Sequence, residues 1–164
     1  MTGAIARMRT MRGKLALVRN GFGAAIMPPE VKRLALTYAA KINEGHMGPR
    51  KFWRLYLPRL KYHNPDLPIE VEQRHEIGGP ATLTVEFAGD KKEVIDCQHI
   101  HENDIVKQLF EMTRAKQLPI NEADSLLANE YLQERDRLRR ATITKEAKRA
   151  AKKEEERVGG GMTA

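Results

Sequence analysis

The chain divides by the period of its apolar residues. From Val31 to Ala39, Leu34, Leu36 and Tyr38 alternate with Ala35 and Thr37, the two-residue period of a strand buried on one face. Ile69 and Val71 alternate with Glu70 and Glu72, and this second strand ends before Gly78-Gly79-Pro80. Leu83, Val85 and Phe87 alternate with Thr84 and Glu86 as a third strand. Gly89-Asp90 then turns the chain into a fourth, Glu93 to Gln98, so the last two should pair as an antiparallel hairpin. From Glu102 the period lengthens. Ile105, Leu109 and Met112, with Val106 and Phe110, form the buried stripe of a helix, and Glu102 and Asp104 suit its first turn.

Between the first two strands a connector with Asn43, Gly45 and Gly48 leads into GPRKFWRLYLPRLKYHNP. Proline is favoured at a first helical turn, so Gly48-Pro49 opens a helix that runs to about His63, where Asn64-Pro65 stops it. On a wheel of about 100° per residue, Phe52, Trp53, Tyr56, Leu57 and Leu60 form an apolar wedge opposite Arg50, Lys51, Arg54 and Lys61. Pro58 removes a hydrogen bond to the carbonyl four residues back, which predicts a kink near Arg54–Leu55. Arg59 alone falls on the apolar side, and the kink would turn it outward. No acid occurs from Arg50 to Pro65. That absence favours a cation row facing a polyanion over an ordinary solvated basic face. The order of elements is β-α-β-β-β-α, a mixed α/β fold with a four-stranded sheet. Its first two strands should be parallel and joined by a right-handed crossover.

Both ends lie outside this pattern. The first 30 residues carry Arg7, Arg9, Arg12, Lys14 and Arg19 with no acid before Glu30. They read as a basic arm for nucleic acid and equally as an uncleaved mitochondrial targeting segment, although serine is missing. Gly21-Phe22-Gly23 and Met27-Pro28-Pro29 argue against one long helix there. Beyond Gln117-Leu118-Pro119, Asn121 caps a helix whose first turn holds Glu122 and Asp124. It extends to about Val158, with Thr142-Ile143-Thr144 as the place for a break, and would reach about 55 Å. Its early part should dock through Leu126, Tyr131 and Leu132 on a protein neighbour or on its own core. Arg135–Arg140 and the lysines from Lys145 to Lys153 would then reach RNA or a second subunit. The expected organisation is an arm over 1–30, a domain over 31–116 and a helical extension over 117–164.

Charge sharpens this division. The net charge is +7, yet residues 1–63 hold 13 Lys and Arg against Glu30 and Glu44. Residues 64–116 hold 6 against 11, and the rest hold 10 against 9. A chain basic at one end and acidic in its middle suits one surface on a polyanion and another on water or protein.

GPRKFW, followed by LPRLKYHNP and then by LPIEV, resembles the thioredoxin-like family shared by certain mitochondrial ribosomal proteins and a small accessory subunit of respiratory complex I. The likeness is sharp over about 25 residues of 164, and it is greatest to the fungal large-subunit ribosomal members. The resemblance implies a thioredoxin-like sheet and a non-catalytic structural role in the mitochondrial ribosome. Mitochondrial rRNA and neighbouring ribosomal proteins would be the partners, in the matrix. The alternative is a non-catalytic accessory subunit of complex I. Between them charge decides: Arg7, Arg9, Arg12, Lys14, Arg50, Lys51, Arg54, Arg59 and Lys61 suit RNA phosphates.

No catalytic set emerges beside these cations. Cys97 is the single cysteine, so there is no internal disulfide and no CxxC. Thioredoxin-type chemistry needs a thiol at the start of the first helix, where this chain has His46-Met47-Gly48-Pro49. His99, His101 and Glu102 lack a matching pair at zinc-site spacing, and the histidines read as ordinary surface groups at a strand-to-helix turn. Glu70, Glu72 and Glu86 sit at strand alternation, on a solvated or partner-facing surface. Gly159–Gly161 follows a helix rather than opening one, so it cradles no phosphate. No cofactor, metal or small-molecule substrate is expected, and no apolar run nears the roughly 18–20 residues that span a bilayer.

Overall fold

The computed structural model describes residues 3–41, 44–75 and 78–159. Asn43 of the expected connector lies outside them. The middle of the chain is a mixed α/β unit. Strand β2 (Val31–Ala39) is followed by helices α2 (Met47–Leu55) and α3 (Leu57–His63), then by β3 (Ile69–Arg74), β4 (Thr82–Phe87), β5 (Lys92–Asp96) and α4 (Glu102–Thr113). The order across the sheet is β3-β2-β4-β5. β3 runs parallel to β2, whereas β4 is antiparallel to both β2 and β5. The first expected strand is found with its bounds unchanged. The fourth begins one residue earlier and ends two residues sooner, because Cys97 and Gln98 already lead into α4.

Register places the apolar positions of all four strands on one face. Leu34 lies beside Ile69 and Val85, Leu36 beside Val71 and Leu83, and Leu83 beside Ile95. Helices α2, α3 and α4 cover that face with Phe52, Tyr56, Leu57, Leu60, Ile105, Val106 and Leu109, which join the strand residues in one buried cluster. Truncating a fully buried side chain such as Phe52 should cost about 3–5 kcal/mol. The opposite face carries Arg33, Thr37, Thr84 and Glu86, half-exposed, with Arg33 bridging Glu70 and Glu86.

The break that Pro58 imposes falls at Tyr56, one residue beyond the expected place. Tyr56 keeps a helix-like conformation (φ −105°, ψ −37°) while α2 ends and α3 restarts. Trp53 stays 37% exposed at the edge of the apolar wedge. Gly48 sits where α2 meets the loop before α4. A Cβ there would lie 1.9 Å from the Ile100 carbonyl oxygen, so only glycine permits the approach.

The ends form elements that periodicity did not reveal. Residues Ala4–Arg19 are one helix, α1, and Ala25–Ile26 (β1) pairs antiparallel with Lys116–Gln117 (β6). The long helix α5 (Glu122–Gly159) is capped as expected, the Asn121 Oδ1 accepting the N–H groups of Ala123 and Asp124 at 3.0 and 3.3 Å. It does not break at Thr142-Ile143-Thr144. The hydroxyls of Thr142 and Thr144 donate back to the carbonyls of Leu138 and Arg140, an arrangement a helix accommodates.

Helices α1 and α5 pack against each other in antiparallel sense. Asn20 donates to the Asn121 carbonyl and the Ser125 hydroxyl near one end, and Gly13 meets Tyr131 farther along. The contact is close because residue 13 has no side chain: a Cβ would stand 2.4 Å from that of Tyr131. Leu126 does not dock on the chain's own core, and its docking on a protein neighbour stays a proposal. It is 66% exposed, and Ala128, 7% exposed, takes the inner position beside half-buried Tyr131 and Leu132. A small residue is what two closely packed helix backbones require there.

Candidate nucleic-acid interface

Helices α2 and α3 present the acid-free row, and the structure shows what its cations touch. Arg50 Nη1 donates to the Ala40 carbonyl at 2.9 Å. Lys51 Nζ lies 3.2 Å from the Glu102 carboxylate, across the gap between α2 and α4. Lys61 Nζ donates to the carbonyls of Pro65 and Leu67, both at 2.9 Å, beyond the end of its own helix. Arg54 is exposed, and its side chain has no hydrogen bond or ion pair among the described residues.

Arg59 turns inward rather than outward, a correction to the expected geometry. Its guanidinium donates to the carbonyls of Leu17 at 2.9 Å and Phe22 at 2.5 Å, and lies 5.5 Å from the centre of the Tyr56 ring. Burial lowers its pKa, and Tyr56 opposes that shift. His63 Nε2 is 2.9 Å from the carbonyl of Arg19, the last residue of α1. The Arg59 cation suits the C-terminal turn of α1, where carbonyls lack intrahelical partners and the dipole is negative. The acid-free composition of α3 therefore has an internal explanation, because main-chain oxygens of α1 and of the following loop serve as its counter-groups. Asn64 completes this junction by accepting from Met27 N–H and donating to the carbonyls of Ala25 and Leu60, each at 2.8 Å.

The arm cations have a different setting. Arg7, Arg9, Arg12 and Lys14 all lie exposed on α1, and among the described residues none of their side chains makes a hydrogen bond or ion pair. Arg9 and Arg12 border a groove between α1 and α5 that Glu130 and Glu134 also line. Arg19 differs: it donates to the Tyr62 hydroxyl at 2.9 Å, which raises its pKa. Pairing of residue 13 with residue 131 means that α5 outruns the start of α1 by about residue 140. Side chains from Gln133 to Ala151 are exposed throughout. This segment carries Arg139 and Arg140, and also Arg135 and Arg137, which pair with Asp136 at 3.3 Å and Glu134 at 3.6 Å.

The groups with potential for other chemistry are held in structural settings. Cys97 is buried, and desolvation pushes its thiol up to about 12, far from the thiolate that exchange requires. His101 caps α4 by accepting from Asn103 N–H at 3.3 Å. His46 was missed by sequence reasoning. It is fully buried at the entry to α2 and accepts from Ala39 N–H at 3.2 Å, and its neighbours in sequence gave no sign of that contact. Among the described residues, no group of three or more His, Cys, Asp and Glu is placed to hold a metal ion, and no helix is long and apolar enough to cross a membrane.

Residues 49–102, from the first turn of α2 to the first residue of α4, match the family model described as the mitochondrial ribosomal protein L51 / S25 / CI-B8 domain. The large ribosomal subunit protein mL61 of Neurospora crassa is 46% identical over 91 residues, 56% of this chain and 45% of that protein. The large ribosomal subunit protein mL61 of Saccharomyces cerevisiae is 33% identical over 100 residues, 58% of this chain and 73% of that protein. The chain thus matches less than half the length of the first relative and most of the second. On the extent of the second match, the chain belongs to the family of large ribosomal subunit protein mL61.

Proposed function

We propose that the chain is a structural, non-catalytic component of the mitochondrial ribosome, in its large subunit. The observation that carries this reading is the likeness to two proteins named for that subunit, together with the mitochondrial ribosomal domain spanning α2 to α4. Neither relative is named for a respiratory complex, so the accessory-subunit alternative is not pursued. The order β-α-β-β-β-α, with a parallel first pair and an antiparallel hairpin, supports a thioredoxin-like description of the middle unit.

Within that role, rRNA would be bound first by Arg7, Arg9, Arg12 and Lys14 on α1, with Arg54 and the basic part of α5 on further phosphates. Exposed cations without internal partners lose least on meeting a phosphate, since no existing bond must break. Arg50, Lys51 and Lys61 can add a second bond only from their exposed sides. Arg59 supports the surface from within. The projecting part of α5 is suited to neighbouring ribosomal proteins. Its exposed Leu138 and Ile143 offer apolar contacts beside its charges.

Sedimentation of a tagged chain in mitochondrial extracts tests the assignment. Co-migration with the large subunit through high-salt washing is expected. Migration with the small subunit, with a membrane complex, or at the top of the gradient would overturn it.

A further inference from the structure

The two edges of the sheet are not alike. β5, five residues long, ends the sheet on one side with Lys91 and Lys92 at its start. Short edge strands bearing lysine discourage pairing with another chain. β3 ends the other side with six residues, no internal proline and no bulge, and among the described residues β2 is the strand paired with it. Val71 at its centre is 37% exposed, and Glu70, Glu72 and Gln73 are exposed as well.

The backbone of β3 is open in a definite pattern. Leu34 N–H donates to the Pro68 carbonyl at 3.0 Å, and Ala40 N–H to the Arg74 carbonyl at 2.7 Å. The register between these bonds is unbroken from Leu34 with Ile69 to Ala39 with Arg74. In a parallel ladder alternate residues bond to the same neighbour, so Pro68, Glu70, Glu72 and Arg74 face β2. The N–H and C=O groups of Ile69, Val71 and Gln73 therefore point away from the sheet, a pairing edge about 20 Å long.

Charge says which strand fits. Asp66, Glu70 and Glu72 are exposed along this margin. Arg33 reaches Glu70, and the Thr37 hydroxyl donates to Glu72 at 3.2 Å, yet both carboxylates keep an open side. Glu70 and Glu72 share one face of the strand, while Ile69 and Val71 share the other. A strand laid beside them would place every second side chain against carboxylates and the intervening ones against β-branched apolar groups.

We infer that the free edge of β3 is a docking site for an extended basic segment of a partner protein, alternating Lys or Arg with apolar residues, which adds as a fifth strand. The acidic margin repels RNA, so this surface is separate from the cation surface of α1, and the inference does not depend on the ribosomal assignment.

Amide hydrogen exchange of the full chain with a peptide alternating lysine and valine tests it. The peptide should slow exchange at Ile69, Val71 and Gln73, and leave the already bonded amides of Glu70 and Glu72 unchanged. The same peptide N-methylated at alternate amides should lose that protection, a control that needs no change in the protein. The double variant Glu70→Lys, Glu72→Lys should weaken binding by roughly tenfold. Val71→Pro, which removes an outward N–H and leaves the β2 ladder intact, should abolish it. Equal binding by the methylated peptide, protection confined to other elements, or a single-stranded RNA that protects the same amides would overturn the inference.

Discussion

Two stretches of this chain share one composition and meet different fates. Helix α1 and the α2–α3 pair are both rich in Lys and Arg, and both lack acid within their basic runs. On α3, Arg59, Lys61 and His63 are turned toward carbonyl oxygens at helix ends and in the following loop. On α1, Arg7, Arg9, Arg12 and Lys14 stand in solvent. The lesson is that an acid-free basic run does not by itself mark a polyanion surface. Main-chain carbonyls at a helix C-terminus carry enough partial negative charge to hold cations, and they leave no mark in the composition.

The sharpest way to break this contrast is to neutralise the exposed set. Replacing Arg7, Arg9, Arg12 and Lys14 together by Gln should lower the slope of log K against log salt for rRNA binding. The drop should be roughly 3, at about 0.7–0.9 per lost phosphate contact, with circular dichroism and unfolding midpoint little changed. An unaltered slope would move the RNA surface off α1.

The inward cation should behave in the opposite way. Arg59→Ala removes two charged hydrogen bonds to buried-side carbonyls and should cost about 2–4 kcal/mol in urea unfolding. Its effect on the salt slope should be small. A stability change within about 0.5 kcal/mol would mean that Arg59 does not tie α3 to the arm.

The packing of α1 on α5 underlies both sides of the comparison, and Gly13 is where it can be pried apart. Gly13→Leu places a side chain inside Tyr131 and should destabilise the helix pair by about 1–3 kcal/mol. Limited proteolysis should then cut α5 faster than in the unaltered chain. Equal cutting rates would show that the two helices do not hold one another in solution.

The smallest effect concerns Cys97. Its thiol should resist alkylation in the folded chain and react once the chain unfolds, and Cys97→Ser should cost only about 1 kcal/mol. Because burial raises the folded pKa from 9.0 to about 12, the contribution to stability is complete below pH 9. It declines as pH climbs toward 12, since the unfolded chain releases the proton while the native chain retains it. Unfolding midpoints measured across that range should fall with pH in the unaltered chain and fall less in Cys97→Ser.

Much of the middle unit was legible from local rules. Alternation marked the first three strands and the Gly89-Asp90 turn marked the fourth; the two central strands bury one face, so Leu34, Leu36, Leu83 and Val85 had to be apolar while Thr37, Thr84 and Glu86 did not. Pro58 marked the break between α2 and α3, and Asn121 marked the start of α5, because both act on backbone groups within four residues. The two-stranded β1–β6 pair was hidden, since two residues carry no period. Helix α1 was hidden as well. Its inner side is Gly13 and Ala16, residues whose burial follows from closeness to Tyr131 rather than from apolar size.

The sequence by itself determined which residues are cationic, where the strands and the middle helices run, and that no thiol stands at the start of α2. Tertiary structure alone decided which cations remain available. Arg59 and Arg54 lie five residues apart in one acid-free run, and the wheel set Arg59 on the apolar side without saying what it would meet there; it is bonded to Leu17 and Phe22, while the Arg54 side chain is free among the described residues. The difference arises because the last turn of α1 comes to rest against α3. A carbonyl is present at every residue, and only the packing of one helix end against another tells which side chain will find it.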